Sequence, residues 1–216
     1  MNEKVHNKKK RKGLKSFSSK LVLFAVSLLV IEALCLSVVG VISLQQSFTE
    51  SINNYIETSN AGYKSEIKAQ VQSAISVIKK QYEQYKSGAK TEAQAKQDAL
   101  EAVRNMRYRD DDSGYIWIDG IDYTLVMHPV LTEQEGTNRR DLKDKNGVMV
   151  TQDVVKAAQE GGGYNEFHFT KADGVTVAPK IAYSELFKEW GWAVATGNYV
   201  DDMNEQLQAK RDGIED

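Results

Sequence analysis

The sequence predicts an α+β protein, with a long N-terminal helix followed by an antiparallel sheet and flanking helices. Three observations carry that expectation. Apolar residues recur at steps of three and four from Phe48 to Tyr85 with no intervening proline, the spacing of one amphipathic helix. Beyond Arg109 the texture changes to short aromatic and β-branched runs separated by Gly, Asp and Asn, the pattern of strands joined by turns. Ahead of both, Leu21 to Leu44 carries one charged residue, Glu32.

The first elements are read from charge and hydropathy. Residues 1–20 hold eight Lys and Arg against one Glu and read as a basic cytoplasmic leader. Residues 21–44 read as a transmembrane helix, since 24 residues reach about 36 Å and a hydrocarbon core needs ~30 Å. The leader stays in the cytoplasm by the positive-inside rule. The remainder, with 20 Lys and Arg against 28 Asp and Glu, then lies outside. A cleaved signal peptide would want a shorter apolar core and small residues at its cleavage site. Glu32, Ala33 and Leu34 ahead of Cys35 make a poor lipoprotein signal. A polybasic flank beside a span is a topology and headgroup signal, so no nucleic-acid partner is expected. Cys35 is the single cysteine and falls inside the span, which leaves the outer part without disulfides. Glu32 in hydrocarbon is costly unless paired; it marks either a helix–helix contact in a dimer or one tolerated charge.

Residues 45–106 are expected to form a stalk helix, ended by Ser87-Gly88, and a second helix that Thr91 caps and that runs to about Met106. GYIWID and YTLVMH around Gly120-Ile121-Asp122 read as a hairpin. Asp144-Lys145-Asn146-Gly147 is a turn, and Val148 to Gln159 a helix that Gly161-Gly162-Gly163 stops. YNEFHFT, VTVAPKIAY and WAVATG complete five strands. A last helix from Asp201-Asp202 covers residues 204–216 and points toward a second span.

Strand alternation puts Tyr115 and Trp117 on one side of the sheet and Ile116 and Ile118 on the other, and His128 with Val126 and Thr124. A sheet apolar on both faces wants cover on both. The long helix suits one face, and the insertion from Leu131 to Glu160 would lid the other over a small-molecule cavity. Candidate polar groups are His128, Lys180, Tyr183, Arg107 and Arg109; Lys, Arg and protonated His are the donors that a carboxylate removed from water requires. Each also has a structural reading. His128 suits a strand end, Lys180 an exposed strand face, and Trp117 and Trp192 the core. Arg107 and Arg109 suit pairs with Asp110, Asp111 and Asp112, and His168 suits solvent. No His/Cys/Glu group at metal-ligand spacing, nucleophile elbow or phosphate loop occurs, so neither a cofactor nor an enzymatic activity is expected.

From GYIWI…VMHP onward the sequence resembles a single Cache sensor domain of the second subtype, with its PAS-like sheet. The order DLKDKNG, VVKAAQEGGGYNEF, APKIAYSELFKEWGWAVATGNYVDDM matches the family pattern from Arg107 to Met203. Single pieces are common, and their ordered combination is specific. The resemblance implies an extracytoplasmic sensor over residues 107–203, typically of methyl-accepting chemotaxis receptors and sometimes of histidine kinases or cyclases. It implies a small ligand, often an organic acid, held by Trp117, His128, Lys180 and Tyr183, with Tyr115 and Arg107 beside them. A homodimer through the long helices is expected. HPVLTEQEGTN lacks a second proline, and Thr170-Lys171-Ala172-Asp173-Gly174 stands where W-x-K-P-G is common; both departures touch the pocket rim. In such receptors a second span and signalling modules follow, so a chain ending at Asp216 reads as a truncated receptor or a stand-alone membrane-anchored binding protein.

Overall fold

The computed structural model describes residues 3–109, 112–171, 173, 175–203 and 205. Two compact units divide the chain, residues 1–57 and 58–216. The helix α1 (Glu3–Lys86) accounts for the first unit and enters the second. Large apolar side chains from Leu21 to Leu44 are exposed in the first unit. An 18-residue window there has a mean hydropathy of 2.7, long and apolar enough to cross a membrane. Exposed apolar surface of this extent is not a soluble-protein surface.

In the second unit α2 (Glu92–Arg104) precedes six strands: β1 (Arg107–Tyr108), β2 (Gly114–Gly120), β3 (Leu125–Met127), β4 (Gly163–Thr170), β5 (Val177–Phe187) and β6 (Trp192–Tyr199). The sheet is antiparallel in the order β1-β2-β6-β5-β4, with β3 also paired to β2. Five strands were expected. The sixth, β1, is a two-residue pairing of Arg107 and Tyr108 with Tyr115 and Gly114, too short to leave any periodicity. Between β3 and β4 lie a 3-10 turn (Thr132–Gln134) and the helix α3 (Val150–Gln159). Residues 200–203 begin a helical turn. The expected terminal helix over 204–216 lies, apart from residue 205, outside the described residues, as do Asp110 and Asp111.

Each helix is legible in its local chemistry. Thr91 caps α2 in a full capping box with Gln94, which satisfies two otherwise orphan donors. The glycine run stops α3 because Gly161 and Gly162 take φ of +104° and +97°, where a Cβ is strained.

Strand parity then builds two different faces. On one, Ile67, Val71, Ala74 and Ile78 of α1 and Ala99 and Val103 of α2 close over the sheet's Ile116, Ile118, Val194 and Phe187. Full burial of such side chains contributes ~1.5–3 kcal/mol each. On the other, α3 covers Tyr115, Trp117, Ala182 and Ala195 with Val150 and Val154. Ser184 Oγ donates to the Val154 carbonyl at 2.8 Å and ties α3 to β5.

Candidate functional site

The face under α3 encloses a cavity lined by Trp117, Asp119, His128, Arg139, Thr151 and Lys180, with apolar walls from α3 and β4. Its free volume is about 10 Å3, room for about one water molecule. The insertion between β3 and β4 supplies Arg139, Val150, Thr151 and Val154 to it, as a lid would.

Lys180 reaches the cavity because β5 turns its even-numbered residues toward α3. It is only 2% exposed, and Nζ donates to Tyr115 Oη at 2.9 Å. The ammonium also lies 4.5, 4.9 and 4.8 Å from the ring centroids of Tyr115, Trp117 and Tyr199, within cation–π range. Among the described residues it has no carboxylate partner. Burial works to raise the Tyr115 phenol, but the charge and hydrogen bond of Lys180 outweigh it and leave the phenol below its ordinary value.

His128 is 3% exposed and does not continue β3, which ends at Met127; parity therefore does not set its direction. Pro129 turns the chain so that the N–H groups of Val130 and Leu131 donate to His128 Nδ1 at 3.1 and 3.0 Å. An Nδ1 that accepts twice leaves the proton on Nε2 of a neutral ring. Burial, then the charges of Lys180 and Arg139, lower its pKa to about 3. The expected protonated histidine is therefore corrected to a neutral donor. The corner is clamped from α2. Arg104 pairs with both oxygens of Glu135 at 2.7 and 2.8 Å, and Glu135 accepts the His128 backbone N–H at 2.8 Å. Burial works to raise the Glu135 carboxyl, but these hydrogen bonds hold it below the usual range.

Not all the sequence candidates meet here. Trp117, His128, Lys180 and Tyr115 do. Arg107 is exposed and opposite Tyr115 across the β1–β2 pair, so it stands at the rim on the same face. Tyr183 lies on the opposite face, packed with Ile67 and Val71 of α1. Its ring is 4.9 Å from that of Tyr164 and its hydroxyl donates to Glu185 at 3.0 Å. The reason is parity, since residues three apart on a strand point opposite ways. Arg109 pairs with Glu66 at 3.1 Å. His168, expected in solvent, is half-buried, with Nδ1 3.5 Å from Asp144. Trp192 belongs to the α1 and α2 face.

Three cavity residues escaped the sequence reading. Asp119, 1% exposed, accepts from Trp117 Nε1 at 3.0 Å and from Arg139 Nη2 at 2.7 Å. Burial raises its carboxyl, against the pull of Arg139. Asp119 could have been found, because it shares the parity of Trp117. Thr151 was visible as the polar member of the buried face that runs through Val154, Val155 and Ala158. Arg139 sits in an aperiodic loop and left no signal.

A six-stranded antiparallel sheet with helices on one face and a lidded, cationic cavity on the other is the architecture of a PAS-like sensor domain. The chain belongs to the Single Cache domain 2 family, whose sequence model matches residues 59–212. Among curated proteins it is 31% identical over 122 residues to the methyl-accepting chemotaxis protein McpP of Pseudomonas putida, covering 56% of this chain and 22% of that protein. It is 30% identical over 141 residues to the sensor histidine kinase MctS of Rhizobium johnstonii, covering 65% of this chain and 30% of that protein. The chain thus spans less than a third of the length of either relative. Among solved structures it resembles a periplasmic sensor domain of a chemotaxis protein, with a TM-score of 0.62 and 28% identity over 65% of this chain and 96% of that one. A Cache chemosensory domain described for carboxylic acid recognition gives a TM-score of 0.62 at 26% identity, covering 67% of this chain and 97% of that one.

Proposed function

We propose that this chain is the sensing part of a membrane-anchored, chemotaxis-type receptor and that its cavity takes a short carboxylate. The observation that carries the reading is Lys180, an ammonium 2% exposed and without a carboxylate partner among the described residues. A buried charge is strongly disfavoured unless paired, and a ligand carboxylate supplies the partner through charge-assisted hydrogen bonds. His128 adds a neutral Nε2–H donor, Tyr115 and Trp117 form walls, and Arg107 at the rim favours an anion's approach. A related domain described for carboxylic acid recognition supports the ligand class.

The basic leader ahead of the apolar run supports a cytoplasmic N-terminus and an outer sensor. Glu32 within that run supports a homodimer through the long helices, where a carboxylate in hydrocarbon finds a partner. Chemotaxis output is the first reading. Input to a histidine kinase is the second, favoured by the 30% identity to a sensor histidine kinase. In either, the ligand shifts an equilibrium only by its differential affinity for two states.

The test is a thermal-shift titration of the full chain in nanodiscs with carboxylates of two to four carbons. A bound acid raises the unfolding midpoint. Lys180→Met weakens binding by about two orders of magnitude without lowering the ligand-free midpoint, because an uncompensated buried charge is removed. A folded protein whose midpoint no acid moves would sink the reading.

A further inference from the structure

The His-Pro corner stands where the two faces of the sheet meet. Met127, the last residue of β3, is buried in the core that α1 and α2 close, together with Ala99 and Val103 of α2. His128, one position on, enters the cavity under α3, with its ring centroid 5.2 Å from that of Tyr115. The last two residues of α2 divide in the same way. Val103 is in that core, and Arg104 extends to the corner, where Nη1 lies 3.4 Å from the His128 carbonyl oxygen.

Glu135 completes the connection. The N–H of Gly136 donates to the Leu125 carbonyl at 2.8 Å and seats Glu135 beside β3. Glu135 Oε1 accepts the His128 N–H at 2.8 Å, while its two oxygens hold Arg104 Nη1 and Nη2 at 2.7 and 2.8 Å. A guanidinium and a carboxylate joined by two parallel hydrogen bonds keep one relative orientation, so a shift of the corner reaches the last turn of α2. The pair is half-buried, and an ion pair that solvent reaches contributes little stability. Its chief effect is on geometry. On the cavity side, His128 Nδ1 accepts from the N–H groups of Val130 and Leu131, so the ring and the corner backbone move together. A group that draws Nε2–H therefore pulls on the backbone that Glu135 holds.

We propose, resting on the reading of this cavity as the ligand site, that Arg104 and Glu135 are positioning residues: they aim the His128 Nε2–H donor and carry its displacement from the cavity face to α2 on the closed face. The link runs through polar side chains and around the apolar core. Such a link is established by coupling between its two ends and not by contact alone.

Hydrogen–deuterium exchange of the full chain in nanodiscs tests this at residues 101–105, the end of α2. His128→Ala should speed exchange there about fivefold in the otherwise unchanged chain and should add nothing in Arg104→Met, where the link is already cut. A loss of global stability would appear in both backgrounds, so the difference between them belongs to the link. Glu135→Gln, which retains an acceptor for the His128 N–H, should keep part of the coupling that Glu135→Ala abolishes. Saturating propionate should slow exchange at 101–105 in the unchanged chain. In Arg104→Met that slowing should be confined to residues 127–131. Equal effects of His128→Ala in both backgrounds, or no effect in either, overturn the inference whether or not an acid binds. If propionate leaves exchange at 127–131 unmoved, the carboxylate reading falls, and the mutant cycle still decides this inference.

Discussion

On one face of the sheet Ile116, Ile118, Val194 and Phe187 meet α1 and α2 in a closed apolar core. On the other, one residue along in the same strands, Trp117 and Lys180 meet α3 around a cavity that also holds Asp119, His128 and Arg139. The same backbone serves both, so the difference lies in what each parity class carries. Among the described residues the closed face buries Thr196 and Asn198 but no charged side chain, and its contribution is stability. The α3 face buries charges at a cost, which marks it as the candidate site. Strand β5 shows the contrast within four residues: Lys180 enters the cavity and Tyr183 enters the core against α1.

Substitutions can break that comparison. The largest effect belongs to the closed face. Ile116→Ala should lower stability by ~2–5 kcal/mol in chemical denaturation, while ligand affinity of the folded fraction holds. A large loss of affinity at unchanged stability would show that the faces are not separable. Tyr183→Phe is the sharper test, because the resemblance assigns this residue to the ligand and the geometry does not. Loss of its hydrogen bond to Glu185 should cost ~0.5–1.5 kcal/mol, with affinity unchanged within about twofold, as for uncoupled sites. A tenfold or greater loss of binding would return Tyr183 to the site.

The smallest expected change is that of ligand affinity with pH. The folded-state pKa of His128, lowered to about 3, lies below the unfolded imidazole value of ~6.5. Between these values the unfolded chain binds the extra proton, so stability is complete above ~6.5 and falls as pH drops toward 3. Ligand affinity should accordingly stay flat from about pH 8 to about pH 6, as read by titration calorimetry. Affinity that rises on acidification with a midpoint near the ordinary imidazole value would mean that protonated His128 joins Lys180 in holding the anion.

Much of this was legible in residue order. Steps of three and four named the buried stripe of α1, Thr91 named a cap, the glycine run named a stop, and alternation sorted Tyr115 and Trp117 from Ile116 and Ile118. The resemblance assigns Tyr183 to the ligand, whereas residues three apart on a strand face opposite ways and β5 turns Lys180 and Tyr183 to different faces. His128 could not be aimed by parity at all, since β3 ends one residue before it and Pro129 redirects the chain. Arg139 was invisible because a loop has no period to violate.

By itself the sequence determined the α+β class, an apolar run able to span a membrane and the approximate place of the helices α1 to α3 and of five of the six strands. Those depend on local spacing and composition, which act on neighbours along the chain. Only the tertiary structure decided the site. It set Lys180 beside Tyr115 across 65 positions, Arg139 against Asp119 across 20, and two backbone N–H donors of the His-Pro corner on His128 Nδ1, which keeps the ring neutral. The state of a buried charge depends on which groups surround it in space, and that is decided when the insertion between β3 and β4 packs on the sheet.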